Sequence, residues 1–128
     1  MVTPMFRPLL ALIAALALSG TGGSSLSSTA ACPRGALPLE ANSIAPASRA
    51  ALAREKPSAR GQVTGALFAP TDPSRGGPAR SQCGRRAWRR TVVVYIDLRA
   101  FHPGASLSER VSYVARFRSG YRVWQIVH

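Results

Sequence analysis

The sequence predicts an α+β fold in which one N-terminal helix packs on a curved antiparallel sheet of about four strands in meander order. Three observations carry this prediction. Apolar and polar residues alternate with a period of two through residues 88–99, 111–118 and 121–127, as they do in strands that bury one face. Short segments containing glycine, proline or serine separate these runs. Ahead of them, an alanine-rich stretch with helical spacing begins after Ser43 and stops at Pro57.

Residues 1–19 read as a secretory signal peptide, with Arg7, then the apolar run 9–18, then Ser19-Gly20-Thr21-Gly22-Gly23. An apolar run of that length is too short to cross a bilayer as a helix, which takes about 20 residues. Cleavage fits after Ser19 or as far along as Ala31. The Gly-, Ser-, Thr- and Ala-rich residues 20–41 read as a flexible linker, and residues 42–128 as a single domain. The expected location is therefore secreted or in the cell envelope. A membrane anchor, through an uncleaved signal or a lipidated Cys32, is the alternative. Export also bears on Cys32 and Cys83, the only cysteines, because a disulfide persists in an oxidising compartment. A bridge between them closes a loop of roughly 50 residues and contributes about 3–4 kcal/mol in the chain-entropy treatment.

Within the domain, Ser43 is placed to cap a helix reaching Lys56, with Ile44, Ala47, Ala51 and Leu52 on one face. This stripe is thin, so the helix needs a sheet to dock on. Residues 62–69 form the first strand, with Val63 and Leu67 on one side and Phe68 on the other; Gly65 marks an edge or a bulge. Residues 78–83 form one helical turn closed by Gly84. The second strand starts at Trp88 with Trp88, Val92, Val94, Ile96 and Leu98 pointing inward; Val93 breaks the alternation. Ser119-Gly120 supplies a two-residue turn between the last two strands. Pairing across it sets Phe117 opposite Arg122, Ala115 opposite Trp124, Tyr113 opposite Ile126 and Val111 opposite His128. Tyr121 falls near Arg116 and Arg118, within reach of stacking.

In two segments, Cys83-Gly84 through Arg90-Thr91-Val92-Val93-Val94 and Ser106-Leu107-Ser108 through Gly120-Tyr121-Arg122-Val123-Trp124, the chain resembles small secreted proteins of unassigned function from GC-rich bacteria. Its layout also resembles a reduced cystatin-like or NTF2-like roll. The resemblance implies the helix-on-sheet architecture and brings no shared catalytic set.

The formal net charge is +12. Without Arg7 it becomes +11, from 16 basic and 5 acidic side chains. Such an excess draws a protein toward polyanions. The run Arg85-Arg86-Ala87-Trp88-Arg89-Arg90 concentrates it, and Arg116 and Arg118, with Arg99 and Arg122, add to it on adjoining strands. An anion-binding surface made of Arg85, Arg86, Arg89, Arg90, Arg116 and Arg118 is therefore expected. Its expected partner is an anionic envelope polymer, membrane surface or nucleic acid bound by charge, with no specific nucleic acid site. A solvated basic edge that blocks strand pairing explains the same run without a ligand.

No GxSxG, HExxH, P-loop, GxGxxG or EF-hand pattern occurs. His102 and His128 lack the spacing of metal ligands, so neither a metal site nor a cofactor is expected. Asp97 stands alone among arginines and reads as their counter-ion. The enzyme or ligand-binding alternative uses a pocket between helix and sheet, with Asp97 or His102 as base and Tyr95 within reach. The expected role is a non-catalytic exported module.

Overall fold

The computed structural model describes residues 31–102, 104–105 and 107–128. The signal peptide and the first half of the linker expected from the sequence lie outside them. The described chain folds as α1 (Ile44–Ala53), β1 (Gly61–Phe68), α2 (Gly77–Arg89), β2 (Thr91–Leu98), β3 (Glu109–Phe117) and β4 (Gly120–Val127). The strands form one antiparallel sheet in the order β1-β2-β3-β4. This is the predicted α+β meander with two differences: the sheet is only weakly curved, and a second helix is present.

α1 lies across all four strands. Ala47 and Ala51 are fully buried, and side chains this small let the helix settle closely on Val92, Val94, Ile96, Leu98 and Val114. Ser43 does not cap it. Its backbone is already helical, and its hydroxyl accepts from the Glu40 amide and shares a 2.9 Å hydrogen bond with the Tyr121 hydroxyl. The helix stops short of Lys56, whose backbone is extended because the ring of Pro57 disfavours helical geometry in the residue before it. Just beyond α1, Glu55, with only 4% of its side chain exposed, pairs with Arg110 of β3 at 2.9 Å.

The even-numbered residues of β2 face α1 as the alternation predicts. Val93 breaks the pattern because the other face of the sheet is also covered. It is fully buried there with Ala69, Ala79, Val111 and Tyr113, beside Trp88 and Trp124. In β1 the register shifts between Val63 and Gly65, the irregularity Gly65 marks in the sequence. The shift reverses the expected sides: Phe68 joins Val63 against α1, while Leu67 on the other face is 43% exposed.

The β3–β4 register also differs from the predicted one. Phe117 pairs with Gly120, Ala115 with Arg122, Tyr113 with Gln125 and Val111 with Val127. The turn residues are Arg118 and Ser119, and the positive φ of 121° falls on Gly120, the first residue of β4. The glycine therefore follows the turn instead of forming its second corner. A bulge then leaves Trp124 without a partner on β3, and its ring packs against Tyr113 with centroids 5.4 Å apart. Ile126 moves opposite Ser112, on the α1 side. Tyr121 sits opposite Arg116, but the rings that guanidinium groups cover are Phe117, by Arg122, and Trp88, by Arg80.

Candidate functional site

The Arg-rich run lies on α2 and not at the start of a strand. Trp88 is helical, half-buried on the second face of the sheet, with the Arg80 guanidinium 5.1 Å from its ring. α2 is two helical pieces that meet at Gly84, whose φ of 89° and ψ of 173° are not helical, so the turn over residues 78–83 closes there as the sequence predicts. The second piece closes at the amide of Arg90 and the hydroxyl of Thr91, both of which donate to the Ala87 carbonyl at 3.0 and 2.7 Å.

The approach to α2 is held by polar groups under the sheet. The carboxylate of Asp72 accepts from the amides of Ser74 and Arg75 at 2.9 and 3.0 Å and from the Tyr95 hydroxyl at 2.6 Å. Tyr113 donates to the Arg75 carbonyl at 2.7 Å. Burial pushes the Asp72 carboxyl up, yet the Tyr95 bond, the two amides and the Arg75 charge outweigh it and hold it below the usual carboxylate value. The Tyr95 hydroxyl is raised by burial first and by its bond to Asp72 second. Tyr113 is raised mainly by burial. Gly76, which follows this loop, is buried with no space for a side chain.

The N-terminal arm completes the site. Residues 32–40, assigned to the linker from the sequence, lie on the body of the protein. Cys32 is bridged to Cys83 with their Cα atoms 5.4 Å apart, as the cysteine count predicts. The Leu37 amide donates to the Arg116 carbonyl at 2.7 Å as an antiparallel bridge. It takes the place beside β3 that β2 leaves free beyond Thr91.

Between the arm and α2 runs an open groove of about 640 Å³. Its walls are Arg34, Gly35 and Ala36 on one side and Gln82, Arg86, Ala87 and Arg90 on the other, with the disulfide at one end. Beyond the break at Gly84, Arg86 and Arg90 recur at the four-residue spacing of one helix face. Arg85 and Arg89 recur on the neighbouring face.

The six expected anion-binding residues thus separate into two groups. Arg85, Arg86, Arg89 and Arg118 are exposed. Arg90 and Arg116 hold the arm: Arg90 donates to the Ala36 carbonyl, and Arg116 donates to the Pro38 carbonyl and pairs with Glu40, both at 3.1 Å. Arg34 and Arg80, which complete the basic surface, were missed from the sequence. Arg34 reaches it through the disulfide and Arg80 through the helix, and only the cysteine pair signals the first.

A second cleft, of about 580 Å³, lies at the opposite end of the sheet and includes Thr64, Arg75, Tyr95, Asp97, Arg99 and Glu109. Asp97 and Glu109 are directly paired across β2 and β3. Tyr95 points its hydroxyl at Asp72, and His102 is exposed and outside the lining. The interface between α1 and the sheet is filled by the core, so Asp97 does not enter it as the enzyme alternative requires. Among the described residues no group of three or more His, Cys, Asp or Glu side chains is placed to hold a metal. The chain matches no protein-family model, no curated protein and no solved structure.

Proposed function

We propose that the protein is an exported, non-catalytic module that binds an anionic polymer of the cell envelope by charge, through the arginine face of α2. The segregation of charge carries this reading. α2 holds Arg80, Arg85, Arg86 and Arg89 and no acidic residue. Every carboxylate is engaged or distant. Glu40 and Glu55 are in ion pairs, Asp72 is bonded to Tyr95, and Asp97 and Glu109 lie at the far end of the sheet. A field of one sign over one face raises the local concentration of polyanions.

Export is supported by the leader pattern and the disulfide. No helix among the described residues is long and apolar enough to cross a membrane. A polymer is favoured over a bilayer surface because the apolar ring on α2, Trp88, is turned to the sheet under Arg80 and offers nothing to insert.

The test is affinity for heparin and for duplex DNA as a function of salt. On DNA the slope should be about −0.9 log units per log unit of salt for each phosphate neutralised. Changing Arg85, Arg86 and Arg89 together to Gln should flatten it, with circular dichroism and the disulfide unchanged. Arg90 is left in place because it anchors the arm. No binding at low salt, or an unaltered slope in the triple variant, overturns the proposal.

A further inference from the structure

We infer that the groove between the N-terminal arm and α2 is a discrete subsite for one phosphate-type anion, and that it is complete only while Cys32 and Cys83 are bridged. The inference rests on the polymer reading and assigns to it the group recognised: a phosphate of a polyphosphate or phosphodiester chain.

Arg34, Arg86 and Arg90 line the groove, and no carboxylate does. Three like charges brought to one concavity repel each other, and an anion placed there relieves the repulsion. Guanidinium groups suit a tetrahedral oxyanion because their planar forks donate pairs of parallel hydrogen bonds. Arg34 and Arg86 are exposed, and neither forms an ion pair among the described residues. Arg90 donates through one nitrogen to Ala36 and keeps its remaining donors. At about 640 Å³ the groove is much larger than one phosphate, and it opens to solvent, which suits a link in a passing chain.

The dependence on the bridge follows from how the arm is fastened. From Ala36 onward it is held by Arg90, Arg116 and the Leu37 bridge. Among the described residues the disulfide is the tie to α2 ahead of Ala36, and Arg34 lies in that span. Opening the bridge frees Arg34 and removes one wall. α1 and the sheet, whose core contains neither cysteine, stay folded.

The probe is inorganic pyrophosphate, titrated into the oxidised protein at low salt by calorimetry and by amide chemical shifts. One site is expected, with shifts confined to residues 34–36 and 82–90. Arg34→Gln with Arg86→Gln should weaken it at least tenfold, and Arg85→Gln with Arg89→Gln less than twofold. Cys32→Ser with Cys83→Ser should match the first pair while keeping the far-ultraviolet spectrum. The single variant Arg34→Gln, with its bridge intact, tests the same wall if the serine variant does not fold. Equal losses from the two arginine pairs would falsify the subsite, and undiminished binding by the folded serine variant would remove the dependence on the bridge. Pyrophosphate bound in the groove without salt-dependent binding to heparin or DNA would overturn the polymer reading and leave the subsite standing. A parallel titration with polyphosphate and with phosphatidylglycerol vesicles separates polymer from lipid phosphate. Weakening by the Arg34 and Arg86 changes on vesicles alone would overturn the assignment to a polymer.

Discussion

Replacing Gly76 by alanine should destabilise the protein by about 3–5 kcal/mol, and the structure accounts for each part of that figure. A Cβ at this position falls 1.9 Å from the Ala69 carbonyl oxygen and 2.7 Å from that of Asp72. Carbon and oxygen settle at about 3.3 Å or more, so the backbone must separate by more than an ångström. Both oxygens are hydrogen-bond acceptors, from the amides of Asp72 and Gly76 respectively, each at 3.1 Å. Stretching these bonds costs about 1 kcal/mol apiece, and overpacking adds about 1–3 kcal/mol. The backbone angles of Gly76, φ −73° and ψ −32°, suit any residue, so the cost is one of space and not of conformation. Gly77 is the control. It is helical and has nothing within 4 Å of an added Cβ, and Gly77→Ala should stabilise by about 0.4–1 kcal/mol. Urea unfolding followed by the fluorescence of Trp88 and Trp124 separates the two. With an m-value of about 1.5 kcal/mol/M, Gly76→Ala lowers the midpoint by about 2–3 M while Gly77→Ala raises it slightly. A Gly76→Ala midpoint within 0.5 M of wild type (~0.5 M, under 1 kcal/mol), or equal losses at both glycines, would refute the argument.

Asp72 is held below its usual value, so the stability it contributes is complete above the unfolded carboxylate value of about 3.9 and is lost as pH falls through the folded one. Asp72→Asn should flatten the acid limb of a pH–stability curve, and an unchanged limb would assign acid sensitivity elsewhere. Tyr95 is shifted upward, so its contribution is intact below about pH 10 and declines above it. Tyr95→Phe should remove that alkaline decline and, by leaving Asp72 short of a donor, cost about 1.5–3 kcal/mol at neutral pH in urea unfolding. Removing the bridge with Cys32→Ser and Cys83→Ser should cost about 3–4 kcal/mol, read as a lower urea midpoint; a loss below about 1 kcal/mol would mean that the arm retains its position unbridged.

The sheet was legible in the sequence because β2 and β3 bury apolar residues at alternate positions, and periodicity reports that directly. Even the misfit at Val93 carried information, since it reflects the cover on the second face. Of α2, the turn over residues 78–83 and its stop at Gly84 were legible, while the helical piece beyond Gly84 was not. The apolar content of that piece is little more than Ala87 and Trp88, so no stripe marks a helix. The β3–β4 register depended on where the positive φ of Gly120 falls and on a bulge at Trp124. The latter is set by packing against Tyr113, which local sequence does not encode. The arginines of the candidate site were visible from composition. Their division into anion-facing side chains and arm clamps was not, because Ala36, Pro38 and Glu40 meet Arg90 and Arg116 only through tertiary structure. The cysteine pair predicted the join that brings Arg34 to the groove, though not the groove itself.

The bond between Ser43 and Tyr121 spans 78 residues, and it is one of a set. Leu37 and Glu40 meet Arg116, and Glu55 meets Arg110. Each of these residues therefore waits for a partner made much later in the chain. α1 precedes every strand in the chain yet docks among the last, because half of its seat is β3 and β4. Its alanine stripe is too weakly apolar to hold a helix alone, so the nascent chain stays extended until the closing hairpin arrives. Chains truncated before residue 110 should accordingly remain protease-sensitive throughout, and those extended past Tyr121 should acquire protection in a single step. Late closure of this kind leaves the segment ahead of β3 without its packing partners until β4 is made.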